Sequence, residues 1–447
     1  MGSIWIKSPL AILAENADGG IVVTDGVISE LVGTAHRPIV DEVFDASEHV
    51  VIPGLINTHH HFYQTLTRAY GPALNMELFD WLKALYPVWA KLTPEMLSVA
   101  TELALTELLM SGCTTSTDHH YVFPGGLENG IDIQVEAAKK VGIRSVLTRG
   151  SMDLSVKNGG LPPESVVQEV DAILADSERV IDAYHDDCEG AFLQIALAPC
   201  SPFSVSRDVM VGTAALAREK RVLLHTHLGE TEDENTFCNE TLGMRPLDYL
   251  DDCGWLDNKV WLAHGIHFSG DEMTRMAEAG VGVSSCPHSN MTLASGICPA
   301  CDMDKKGISV GVGVDGSASN DASNMIEEVR QMLMIQRLRY GAGSVSHLDA
   351  LRWASEGSAG CIGRTDIGKI EVGRRADLAL FKLNELRHSG HHDPLAALVL
   401  CGHHKADYVM VDGKWRVEGG VVPGLDPADL MVRHSNAAKS LAGLVAG

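Results

Sequence analysis

The chain has 447 residues, 45% of them hydrophobic, which suits a large barrel with a small accessory domain and is too long for one ordinary domain. Its formal net charge of −24 argues against binding nucleic acid or anionic membranes through charge, and leaves a neutral heterocycle as a compatible partner. No apolar run reaches the roughly 18 residues of a membrane span, MGSIWIKSPL does not read as a secretory signal, and the ten scattered cysteines fit reduced thiols in the cytoplasm.

Near the start, IVVTDGVISEL predicts two short strands turned at Asp25-Gly26, because both central residues of a type I′ turn need positive φ. An apolar strand over 51–56 follows and runs into His59-His60-His61. Alternate residues of an extended segment share a face, so His59 and His61 point one way and His60 the other. Gln64 lies just beyond on the loop, where a neutral amide can both donate to and accept from a purine edge. Trp81 is placed to stack on a planar ring, with ordinary helix packing as the alternative. A helix is expected from Thr93 (cap) and Pro94 (first turn) to Gly112.

Further strands are expected near 114–118, 143–149, 192–198, 221–227, 259–264, 281–285 and 308–315. With the first they make eight, separated by helical stretches, which predicts an α/β fold, a (β/α)8 TIM-type barrel. The second strand ends at His119 and His120, one of which is expected to face the pocket. The fourth ends near Ser201 and Ser204 and contains no lysine of the kind that, carboxylated, bridges two metals. The fifth ends in His225-x-His227-x-x-Glu230, the sixth in His264 and the eighth in Asp315. Cys298 and Cys301 form a lone CxxC in a Gly/Pro-bounded loop, a weak metal signal. Towards the end, ADLALFK and the Asp412-Gly413 hairpin repeat the design of the start. Residues 1–56 and 370–425 are therefore expected to form one discontinuous β-sandwich domain, 57–369 the barrel, and 426–447 a terminal helix opened by Asp426 and Pro427. His391, His392, His403 and His404 fall outside the barrel mouth in this layout.

Active sites of such barrels lie at the C-terminal ends of the strands. Each polar strand end alone reads equally well as a satisfied core group. Together they bring three imidazoles, a ligand carboxylate, a second carboxylate and a further imidazole to one mouth, which suits one divalent ion, zinc or ferrous iron, with room for water.

PGLINTHHH, HTHLGE, AHG, GVDGSASN and IEVGRRADLALF resemble the amidohydrolase superfamily, in its single-metal, cytosine deaminase-like branch, along essentially the whole chain. The resemblance implies that His59, His61, His227 and Asp315 are metal ligands, that Glu230 shuttles protons, and that His264 orients the attacking hydroxide. Asp315 would also accept a proton during the reaction. Gly229 stands where alanine is more usual. The stretches HHHFYQTLTRA, TTSTDHHYVFP and CPHSNMTLASGI are similar to the deaminases of 8-oxoguanine, a group close to the hydroxy-s-triazine aminohydrolases. The implied reaction replaces an exocyclic amino group by oxygen on such a ring, guanine, isoxanthopterin and s-triazines being the alternative substrates. A binuclear cyclic amidase and a barrel kept as a non-catalytic scaffold are the competing readings. Large barrels of this kind often pair, which leaves a homo-oligomer open.

Overall fold

The computed structural model describes residues 2–446. Eight parallel strands close a barrel: β1 (Leu55–Asn57), β2 (Cys113–His120), β3 (Arg144–Ser151), β4 (Leu193–Pro199), β5 (Leu224–Leu228), β6 (Val260–His264), β7 (Gly282–Ser285) and β8 (Val310–Val312). Closure runs through Val312 beside Asn57. Ile56, Val146, Ala196 and Trp261 pack inside the barrel against Ala359, Cys361, Ile362 and Ile367. That plug fills the N-terminal half of the barrel and leaves the C-terminal strand ends to form the site.

The helix Pro94–Met110 begins as its sequence signals: Thr93 Oγ1 accepts the Met96 N–H at 3.3 Å, and Pro94 stands where no N–H is needed. Asp426 caps the terminal helix Pro427–Ala446, accepting from Ala428 N and Asp429 N.

Two further sheets flank the barrel. One holds four strands from the N-terminal segment, and the other joins strands from both ends of the chain. Ile6, Ile21 and Ile28 of the first pack against Val51, Leu378 and Met410 of the second. Both hairpin turns have the expected geometry, with φ of 50° and 84° at Asp25 and Gly26 and 54° and 73° at Asp412 and Gly413.

The strand expected over 51–56 is two strands. His49–Pro53 pairs antiparallel with Leu378–Lys382, and β1 begins at Leu55. The chain changes partner at Gly54, whose N–H goes to the Asp377 carbonyl while the next N–H goes to that of Gly112. A continuous apolar run hides this, because both halves are fully buried. No helix among the described residues is long and apolar enough to cross a membrane.

Arg144, at the start of β3 and 1% exposed, ties the barrel to the flanking sheets. It donates to both Asp377 oxygens at 2.7 and 3.2 Å and to Asp412 at 2.8 Å, and Arg375 also pairs with Asp412. Removing one member of a buried ion cluster strands the others. Arg144→Met should cost about 3–5 kcal/mol in chemical denaturation; a loss under about 1 kcal/mol would show that the cluster is not a structural tie.

Candidate active site

The mouth of the barrel is built from strand ends whose backbones turn sharply. His264 and Asp315 have φ of 72° and 62°, the left-handed region that non-glycine residues seldom adopt. The turns swing both side chains inward. Just past β1, His59 and His61 face the barrel axis, and His60 faces away with Nδ1 accepting the His61 N–H and Nε2 bonded to Ser323.

The hydrogen bonds around the inward imidazoles fix which nitrogen carries the proton. His61 Nδ1 lies 2.7 Å from the His119 carbonyl and His227 Nδ1 2.7 Å from that of Cys200. A carbonyl only accepts, so both Nδ1 atoms are protonated and both Nε2 atoms are bare. His225 Nδ1 donates to the Trp261 carbonyl at 2.8 Å, which leaves its Nε2 to accept from His59 Nδ1 at 2.8 Å. His59 Nε2 is then bare as well, and it is buried without a partner. Three lone pairs therefore converge. Nε2 of His61 and His227 are 3.2 Å apart, and Asp315 Oδ1 lies 3.4 Å from His59 Nε2 and 3.3 Å from His61 Nε2. Facing lone pairs at that distance repel unless a cation lies between them. Edges of this length match a tetrahedron with metal–ligand bonds of about 2.0–2.1 Å, so the donor set fits one small divalent ion. Burial opposes charge on these imidazoles and holds His59 and His227 well below the ordinary value, while at His61 Asp315 outweighs it.

His119 also brings a nitrogen near this cluster. Its ring stacks nearly parallel on His227, with centroids 4.7 Å apart, and its Nε2 donates to the Ala198 carbonyl.

Glu230 lies beside the cluster, with Oε2 3.5 Å from His264 Nε2. Burial, and then the like charge of Asp315, push its carboxyl well above the usual range. His264 is held neutral by burial, with Nδ1 2.9 Å from Asn290 Oδ1. Gly229 has φ of 67°, and a Cβ there would come within 2.9 Å of the Phe268 ring. Phe268 thus occupies the room that an alanine would need.

A tightly closed cavity of about 30 Å³ covers these groups. Gln64 and Trp81 line it. Both polar atoms of the Gln64 amide are buried without partners, whereas Trp81 Nε1 donates to the Ala318 carbonyl. Neither His119 nor His120 is in the lining, although His119 turns a ring nitrogen towards the ligand cluster. His119 serves the cluster from beneath through its carbonyl, and His120 packs behind β2 against Tyr63 and Phe123. Ser201 and Ser204 bond to each other outside the lining. The unforeseen lining residues include Tyr86, Cys200 and Phe203. Tyr86 shares a helix face with Leu78, Trp81 and Leu82, so helical spacing from Trp81 was the available signal. His225 and Asn290 were also unassigned, because a side chain that only orients another has no motif of its own. Cys298 and Cys301 are buried free thiols pushed up to about 12 and 11, with the Cys301 thiol against Gln336.

The amidohydrolase family profile matches residues 50–416. The chain belongs to the amidohydrolase family. It is 58% identical to an 8-oxoguanine deaminase of Pseudomonas aeruginosa over 446 residues, covering 99% of each chain. It is 35% identical to the hydroxydechloroatrazine ethylaminohydrolase of a Pseudomonas species, over 87% of this chain and 82% of that one. An atrazine chlorohydrolase of Arthrobacter aurescens, solved with zinc, superposes with a TM-score of 0.91 at 28% identity, covering 97% of this chain and 100% of that one. With this family comes metal-dependent hydrolytic deamination of nitrogen heterocycles.

Two predictions follow from the orienting groups. His225→Phe should weaken divalent-metal binding about 10–100-fold in chelator competition, because His59 loses the acceptor that fixes its tautomer; unchanged affinity would remove His225 from that role. Glu328 is buried beneath the β8 loop, bonded to Asn320 at 2.8 Å, and burial pushes its carboxyl from 4.5 up to about 8. The fold favours the protonated form, so this stabilisation is complete below the unfolded value and is lost as pH rises through about 8. Glu328→Gln should reduce the fall in metal-loaded Tm between about pH 5 and pH 9; an identical fall would exclude Glu328 as its source.

Proposed function

We propose that the chain hydrolyses 8-oxoguanine to urate and ammonia with one zinc ion held by His59, His61, His227 and Asp315. The observation that carries this reading is the 58% identity to an 8-oxoguanine deaminase along 99% of both chains. The cavity supports it: apart from the groups at the metal cluster, the lining is apolar or neutral, with no lysine or arginine. A neutral bicyclic base fits such a wall better than an anion does, and the unpartnered Gln64 amide calls for a ligand edge that both donates and accepts. Zinc is favoured by the three-imidazole, one-carboxylate donor set and by the zinc-bound chlorohydrolase of the same fold.

A divalent ion at this site supplies a water acidified towards neutral pH. Glu230 takes a proton from the attacking water, and its raised proton affinity lets it carry that proton to the ring nitrogen beside the amino-bearing carbon. Protonation makes that carbon electrophilic. His264, with Nδ1 engaged by Asn290, offers Nε2 to the hydrogen on the attacking oxygen. Asp315 Oδ2, which accepts the Ser289 hydroxyl at 2.7 Å, takes the second proton and returns it to the departing amino group. Water supplies the oxygen of the new carbonyl, and ammonia leaves with the amino nitrogen.

Glu230→Gln should keep its bound metal and lose turnover by about 10²–10⁴-fold; near-normal turnover would exclude Glu230 as the proton carrier. Ammonia release measured against 8-oxoguanine, guanine, isoxanthopterin, cytosine and hydroxy-s-triazines tests the substrate. Preference for any ring other than 8-oxoguanine would keep the chemistry and overturn the assignment.

A further inference from the structure

Glu230 lies in a turn whose backbone finds no strand or helix partner on its own. β5 ends at Leu228, and the helix Glu232–Phe237 starts only after the Thr231 cap. The two N–H groups between them both go to one side chain: Gly229 N donates to Glu234 Oε1 at 3.1 Å, and Glu230 N to Glu234 Oε2 at 2.9 Å. Glu234 is 1% exposed and does not line the cavity. Its own N–H is held by Thr231 Oγ1, which anchors the clamp in the first turn of the helix. The other side of the turn is fixed by the Gly229 carbonyl, which accepts from Ile266 N at 2.7 Å and His267 N at 2.9 Å, just past His264. Burial pushes the Glu234 carboxyl up to about 7 against the pull of the two N–H donors.

A carboxylate buried to receive two successive backbone N–H groups is a rigid device, since each oxygen is committed and neither is left for solvent or substrate. The side chain that emerges from the clamped turn is that of Glu230. We propose that Glu234 is a positioning residue for proton transfer: its two-oxygen clamp on Gly229 and Glu230 sets where the Glu230 carboxyl meets the substrate ring. The inference rests on the reading of Glu230 as the proton carrier.

The test compares Glu234→Gln, Glu234→Ala, Glu230→Gln and the double variant Glu230→Gln/Glu234→Ala, all metal-loaded, on 8-oxoguanine. A glutamine has one oxygen, so it keeps one N–H partner and opposes the other with its own NH2. Metal stoichiometry should be unchanged in every variant. KM should stay within about threefold, while kcat falls about tenfold for the glutamine and about a hundredfold for the alanine. The solvent deuterium isotope effect on kcat should rise in both single Glu234 variants, because a misplaced carrier slows the proton step. In the double variant the alanine should add almost nothing to the loss caused by Glu230→Gln. Wild-type kcat and isotope effect in both Glu234 variants would overturn the clamp. Additive losses in the double variant, or loss of metal from Glu234→Gln, would make Glu234 a general structural residue and overturn it too. Near-normal turnover of Glu230→Gln alone would instead sink the proton-carrier reading on which the inference stands.

Discussion

The arrangement at the mouth depends on protons placed where they are of no use to a metal. Each inward imidazole spends its Nδ1 proton on an acceptor in the barrel wall: a carbonyl of β2 for His61, a carbonyl just past β4 for His227, and for His59 the ring of His225, itself tied to a carbonyl of β6. Each of these chains of bonds ends on a backbone carbonyl of a strand or of the residue just past one, so their positions are set by barrel closure rather than by any local motif. The convergence of three bare nitrogens is thus a property of the whole sheet. A shift of one strand's register would turn a carbonyl away and let a ring exchange its tautomer.

The same dependence explains the strained backbone at two strand ends. His264 and Asp315 hold left-handed conformations that cost free energy, and each is held by bonds to its neighbours. The Asp315 N–H donates to the His59 carbonyl, and the carbonyl of Val314 just before it accepts the Asn320 amide. The Gly265 N–H, next after His264, goes to the Leu228 carbonyl. Strain at one strand end is therefore held by groups on an adjacent one. In Gly229 the left-handed turn is adopted without strain, and the missing side chain makes room for Phe268.

What was legible in the sequence follows from this. Alternation in a strand has period two, so the split of His59 and His61 from His60 could be read from three letters. Strand ends that carry an imidazole or a carboxylate stand out because interior strand residues are mostly apolar, which exposed His227, His264 and Asp315. His119 and His120 end a strand in the same way, but of the two His119 turns a nitrogen towards the ligand cluster and neither lines the cavity. β2 runs a full eight residues and stays buried to its last residue, so His119 packs against His227 and His120 against Tyr63 and Phe123. The pocket roof was only half legible: Trp81 was read as a lone aromatic, although Tyr86 lies on the same helix face. The break between Pro53 and Leu55 was hidden because hydrophobicity reports burial and not which sheet does the burying.

The two carboxylates of the site show how one cavity supports opposite roles. Burial opposes charge on both. Asp315 is nonetheless held well below the usual carboxylate range by the facing His59 and His61 and by His264, and its oxygens also receive the Gly316 N–H and the Ser289 hydroxyl. At Glu230 burial and the nearby charge of Asp315 outweigh the pull of His61 and Ser295, so its proton affinity rises. A carboxylate that stays ionised is a ligand and a final proton acceptor, whereas one that readily gains a proton is a carrier. The distinction is made by the facing imidazoles: they hold Asp315 low, whereas at Glu230 burial and the charge of Asp315 prevail, and the N–H groups of the Glu230 turn are spent on Glu234. Glu230 is thereby fixed in place without being stabilised as an anion, the condition that a group shuttling a proton between water and a ring has to meet.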